Sequence, residues 1–125
     1  MEAKNLMIGN FIKVNDIPVI VKQVYEDGII IDIGEGDEEC DSFKPIPLTN
    51  DFWLKNEFVY QKDDNSYTLF DDYYSINAKE VNDGMWQIVV EHCEIFNDTE
   101  ICSFSYVHQL QQFLNLCGIY IEIKL

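Results

Sequence analysis

Ile8-Gly9-Asn10-Phe11-Ile12-Lys13-Val14, then Asn15-Asp16, then Ile17-Pro18-Val19-Ile20-Val21-Lys22-Gln23-Val24-Tyr25, then Glu26-Asp27-Gly28, then Ile29-Ile30-Ile31-Asp32-Ile33 read as three strands separated by two tight turns. Isoleucine and valine dominate the strand segments, because branched side chains fit a pleated surface. Asn-Asp and Asp-Gly tolerate the positive φ that short hairpins demand. Pro18 donates no ladder bond, so it belongs at a strand start or on an edge. Three strands joined so tightly form a meander that curls toward a small barrel.

Beyond the meander, Gly34-Glu35-Gly36-Asp37-Glu38-Glu39-Cys40-Asp41-Ser42 reads as an acidic loop. Phe43-Lys44-Pro45-Ile46-Pro47-Leu48 is extended, since each proline biases its predecessor away from helix. The chain divides at this point into residues 1–48 and 49–125. Thr49 caps a helix over residues 50–57, with Asp51 at its positive end. Strands follow over residues 58–61, 67–70, 73–77 and 85–93. A second helix runs over 106–117, capped by Ser103 or Ser105. Val107, Leu110, Phe113, Leu114 and Cys117 fall on its apolar face, while His108, Gln109, Gln111, Gln112 and Asn115 cover the rest. Gly118 supplies the left-handed stop, and residues 119–125 read as a closing strand. The expected class is α+β: a curled N-terminal β-meander, an SH3-like barrel, packed on a mixed sheet with two helices.

All eight basic residues are lysine; 23 acids oppose them, for a net charge of -15 over 125 residues. Four lysines face ten acids through Leu48, and four face 13 acids after it, so neither part is basic. A nucleic-acid binder needs a basic stripe to neutralise phosphates, and the arginine fork for phosphate is absent. Direct nucleic-acid binding is therefore not expected. An anionic lipid surface is repelled likewise, and no run approaches the roughly 20 apolar residues of a membrane span. Residues 1–9 lack the basic and apolar regions of a secretory leader, so the expected location is cytoplasmic.

Cys40, Cys93, Cys102 and Cys117 are then expected as reduced thiols. The last three sit in apolar surroundings and read as small hydrophobes. Cys40 stands among carboxylates, which oppose a thiolate. The cysteines and histidines are too scattered for zinc. The acidic loops lack the Asp-x-Asp-x-Asp-Gly pattern of calcium sites. Gly34-Glu35-Gly36 lacks the Lys-Ser/Thr of a phosphate loop. No metal and no cofactor are expected. His92 and Cys93 are adjacent in a strand and point to opposite faces, which rules out a dyad.

Leu6-Met7-Ile8-Gly9-Asn10-Phe11, Pro45-Ile46-Pro47-Leu48-Thr49-Asn50-Asp51-Phe52-Trp53-Leu54 and Tyr106-Val107-His108-Gln109-Leu110-Gln111 stand out together. In this order they resemble a family of short uncharacterised proteins of Bacteroides-type bacteria and their mobile elements. Members share an Ile-Gly-Asn strand, a Pro-Ile-x-Leu-Thr helix start and a Tyr-Val-His-x-Leu-Gln helix. The resemblance implies no established activity and no catalytic residues. In the family a basic residue often precedes Ile-Gly-Asn, where this chain has Met7. A glycine often precedes the phenylalanine after the first helix, where this chain has Glu57 before Phe58, and with it loses the residue that favours a tight helix stop.

Partner-binding candidates are His108, Gln109 and Gln112 on the last helix, and the adjacent Tyr73 and Tyr74, one of which must face outward. The other aromatics, Trp53, Phe58, Tyr60, Tyr67 and Phe70, fill a small domain's core. No nucleophile, base and orienting group recur together. The leading expectation is a non-enzymatic module that binds a protein partner. An acidic mimic of nucleic acid docking on a basic protein comes second. A small enzyme using His108 or His92 comes third.

Overall fold

The computed structural model describes residues 3–26, 28–32, 36–40, 42–92 and 99–125. The chain divides into two units: Met1–Pro47 with Tyr106–Gln112, and Leu48–Ser105 with Phe113–Leu125. It is α+β, with two helices and two antiparallel sheets of four and five strands.

In the first unit β1 (Phe11–Val14), β2 (Ile17–Val24), β3 (Ile29–Asp32) and β4 (Asp37–Cys40) follow in spatial order. Asn15 and Asp16, at φ 52° and 64°, make the two-residue hairpin that pairs Val14 with Ile17. Pro18 stands at the start of β2, before its pairing with β3 begins at Ile20. Alternation sends Ile12, Val19, Val21, Ile29 and Ile31 inward against Ala3 and Leu6.

Three expectations change here. Residues 37–40 form the edge strand β4, not a loop, because Ile29 and Ile31 leave an open edge that Cys40 and Glu38 can pair. The strand expected from Ile8 begins at Phe11; Gly9 turns the chain at φ 91° and donates to the Val21 carbonyl at 2.8 Å. No sheet closes among the described strands, so the barrel is not formed by strand pairing. The chain does return to the free edge of β1 for one pair, Lys13 with Lys44, which exchange bonds of 2.8 and 2.9 Å.

In the second unit α1 (Asn50–Lys55) precedes β5 (Val59–Gln61), β6 (Ser66–Phe70), β7 (Tyr74–Asn82), β8 (Met85–His92) and β9 (Thr99–Phe104), again in spatial order. Thr49 caps α1, its hydroxyl accepting from the Phe52 amide at 3.2 Å. Glu57 takes the left-handed conformation at φ 70°, and Phe58 donates to Trp53 at 3.0 Å, so the tight stop forms without glycine. Trp53, Trp86, Phe52, Phe58, Tyr67 and Phe104 are buried with Ile76, Ile88 and Val90. On the other face, Asn77 donates to the hydroxyls of Ser66 and Thr68, both at 2.9 Å.

Here β7 runs on through residues 78–82, because Ala78 and Glu80 find partners in Ile88 and Trp86. Ser103, one of the two expected caps of the second helix, lies instead within the strand β9. That strand leaves Cys102 exposed, so this thiol is not core. Cys93 lies outside the described residues, as do Gly34 and Asp27. His92 shares the Trp86 face half-buried, with its Nε2 3.9 Å from Glu100 Oε2.

The helix α2 (Val107–Leu116) contributes residues through Gln112 to the first unit and from Phe113 to the second. Val107, Leu110 and Leu114 are buried, while Phe113 and Cys117 are half-buried. Gly118 ends it at φ 75°, with the Ile119 amide on Leu114 at 2.9 Å. Residues 119–125 form no strand. Asn56 ties them down instead, its Nδ2 donating to the Lys124 carbonyl at 2.8 Å and its Oδ1 accepting from the Lys124 amide at 2.6 Å. Among the described residues no helix is long and apolar enough to cross a membrane.

Candidate functional site

The first unit gathers its site from three distant stretches of chain. Val107 donates to the Ile46 carbonyl at 2.8 Å, and Tyr106 bridges to Pro47. Gln111 reads the Gly9 turn twice: its Oε1 accepts from the Phe11 amide at 2.8 Å, and its Nε2 donates to the Gly9 carbonyl at 3.0 Å. Gln112 donates to the Asn5 carbonyl at 2.9 Å and to Asn10 Oδ1 at 3.0 Å. Asn10 is buried, and its Oδ1 also accepts from the Met7 amide at 2.7 Å. Side-chain amides thus replace a sheet ladder where the N-terminal turn meets the helix.

These contacts frame a cavity of about 880 Å³. Leu6, Met7 and Pro45 form its apolar wall, Asn5, Gln109 and Gln112 supply amides, and Tyr106 and His108 supply rings. Tyr106 stands immediately before α2, where Gln109 Oε1 accepts from its backbone amide at 3.2 Å. That contact is one half of a capping box, made by the residue immediately before the helix. The Tyr106 and His108 rings lie stacked, 6.0 Å apart and 11° from parallel.

His108 was expected on the covering face of the helix. It is 5% exposed, and its Nδ1 is buried without a hydrogen-bond partner. Burial pushes its pKa below the ordinary 6.5, so the imidazole is neutral near pH 7. The described residues of the wall include no carboxylate, thiol or lysine. Such a neutral site recognises uncharged hydrogen-bonding groups and flat apolar ones.

Three expected site residues, His108, Gln109 and Gln112, therefore meet in one cavity. Tyr73 and Tyr74 do not join them: they stand in the second unit, where β6 turns into β7. Tyr73 is 61% exposed, and its amide donates to Asp71 at 3.2 Å. Tyr74 is half-buried, and burial, then the Asp71 charge, raises its phenol pKa. Sequence reasoning missed Asn5, Leu6, Met7 and Pro45 as lining residues. The only signal was their place in or beside the three motifs.

The second unit holds a smaller cavity of about 350 Å³. Tyr60, Tyr67 and Trp86 line it, with Leu54 and Glu80. Comparison with known protein families, curated proteins and solved structures finds no match for this chain.

Proposed function

We propose that this protein is a non-enzymatic interaction module whose partner docks at the Tyr106–His108 cavity. The observation that carries the reading is the neutral His108, its Nδ1 buried without a hydrogen-bond partner, in a wall of amides and apolar side chains. General acid–base work needs an orienting group on the imidazole, and Nδ1 has none. Recognition needs only the rings, the amides and the apolar wall. The Lys13–Lys44 return supports reading the first unit as an incipient SH3-like barrel. A cytoplasmic location fits reduced thiols.

The test is affinity capture from host lysate with wild type and with Gln109→Lys, at low and high salt, repeated with the purified partner. A protein retained at both salts by wild type and lost by Gln109→Lys is expected. Equal retention by both, or no retained protein, removes the reading.

The nucleic-acid mimic keeps only its charge. Asp37, Glu38 and Glu39 stand exposed on an edge strand, but neighbours there alternate in face, and Asp37 pairs with Lys22 at 2.9 Å. A mimic needs charges in rows on one face, and its complex would weaken steeply with salt. Recovery of a basic nucleic-acid-binding protein at low salt alone would favour it.

A further inference from the structure

The smaller cavity has chemistry of its own. Its walls are three aromatic rings set at steep angles. Tyr60 and Tyr67 lie 5.2 Å apart at 51°, and Tyr67 and Trp86 lie 6.0 Å apart at 60°. Strand register creates the set: Tyr60 pairs with Tyr67 across β5 and β6, and Glu80 pairs with Trp86 across β7 and β8. The rings are held in place. The Tyr60 hydroxyl donates to Asn65 Oδ1 at 2.7 Å, and the Trp86 indole donates to the Leu48 carbonyl at 3.2 Å.

Two carboxylates act on this pocket. Glu80 lines it, and both Asp51 and Glu80 add to the burial and the Tyr60 contribution that raise the Tyr67 pKa. No lysine lines it among the described residues, so neither charge is answered from the wall. Tyr60 is 45% exposed while Tyr67 and Trp86 are 8% and 2% exposed, so Tyr60 supplies the accessible ring and the two buried rings hold it in place. Glu80 Oε2 accepts from the Gly84 amide at 3.2 Å but meets no lysine of the wall. Angled rings beside carboxylates that no wall cation neutralises attract an organic cation through the ring quadrupole and the local field.

We propose that the Tyr60–Tyr67–Trp86 cavity binds the cationic side chain of a lysine on the partner protein. The inference rests on the interaction-module reading and adds a second contact with its own chemistry. A net charge of -15 favours a basic partner, and the cavity gives that preference a specific seat. The first unit's cavity, by contrast, offers no charge.

The experiment titrates the intact protein, by NMR of its aromatic signals, with three short peptides that differ only at the centre: lysine, trimethyl-lysine and acetyl-lysine. Tetramethylammonium chloride is a fourth probe. Saturable shifts at Tyr60, Tyr67 and Trp86 are expected with lysine and trimethyl-lysine, and none with the neutral acetyl-lysine. Tyr60→Leu should weaken binding about tenfold, from the lost ring contact. Glu80→Gln should weaken it less, and more so at low salt. Melting curves of both variants establish that they fold. Equal binding of acetyl-lysine, no binding of any peptide, or full affinity in folded Tyr60→Leu overturns the proposal. Tetramethylammonium binding as tightly as the peptides overturns the partner's lysine in favour of a free cation. If the peptides fail while Gln109→Lys still abolishes partner capture, the module reading stands and this cavity is not its cation seat.

Discussion

The two units solve the same packing problem with different side chains. The first is filled by Ala3, Leu6, Ile12, Val19, Val21, Ile29 and Ile31. The second is filled around Trp53, whose ring lies 5.1 Å from Phe52, 4.9 Å from Phe58 and 5.5 Å from Trp86. Aliphatic side chains suit a small sheet because each fills one pleat position. Aromatic rings cover more area per residue and carry polar edges that require partners. The first unit satisfies its N-terminal turn with glutamine and asparagine side chains on backbone groups, and leaves His108 Nδ1 buried without a hydrogen-bond partner. The second leaves Trp53 Nε1 and Glu100 Oε2 in the same position. Small aliphatic cores tolerate methyl-scale change, whereas an aromatic cluster depends on a few large residues.

Both tryptophans belong to the second unit. Their fluorescence therefore reads that unit, while the methyl signals of Ile12, Val19, Val21, Ile29 and Ile31 read the first. The largest effect is expected from Leu110→Asp. Leu110 is 2% exposed, and an unpaired charge there should cost about 5 kcal/mol or more. Wild-type melting in this variant would refute the packing of α2. Trp86→Ala comes next: it removes a ring from the cluster and leaves the Leu48 carbonyl without its donor. Chemical denaturation should show a loss of about 3–5 kcal/mol, against about 1 kcal/mol for Ile12→Val in the aliphatic core. Equal costs would erase the contrast.

Asn10→Ala tests the amide network. It leaves the Met7 amide and Gln112 Nε2 without their shared acceptor. A loss of about 1–3 kcal/mol is expected, read by methyl NMR and denaturation together. Glu57→Gly should act in the opposite direction and gain about 1 kcal/mol, since glycine adopts positive φ without the side-chain penalty. A destabilised Glu57→Gly would show that the glutamate side chain contributes more than its backbone costs.

The smallest effect concerns pH. Burial lowers the His108 pKa in the folded protein below 6.5, so the unfolded chain binds its proton first. Stability from this residue is whole above pH 6.5 and declines as pH falls below it, levelling once the folded imidazole also protonates. His108→Gln should remove that slope between neutral pH and the range where carboxylates titrate. An unchanged pH profile of denaturation midpoints would place the slope elsewhere.

Much of the architecture was legible in the sequence. Asn15-Asp16 marks a hairpin by residue chemistry that acts locally. Thr49 and Gly118 mark helix ends for the same reason, through one hydroxyl and one missing Cβ. The site was only half legible. Helical spacing put His108, Gln109 and Gln112 within two turns, but nothing local placed Asn5 or Pro45 beside them. Residues 37–40 were misread because acidic residues disfavour strand on their own, and only the open edge of β3 recruits them. Residues 119–125 erred the other way. Their alternation suits a strand, but the Lys124 backbone pairs with the Asn56 side chain.

By itself the sequence determined the α+β class, the hairpin at Asn15-Asp16, the helix ends at Thr49 and Gly118, and the strongly acidic charge. These follow from covalent chemistry and near neighbours, which act whatever the rest of the chain does. Tertiary structure decided which edges would be paired, which histidine would be buried and neutral, and which rings would meet around Glu80. Such outcomes depend on residues far apart in the chain and on how completely water is removed. Burial sets the charge state of His108, and strand register sets the aromatic cavity; neither quantity exists until the chain has folded.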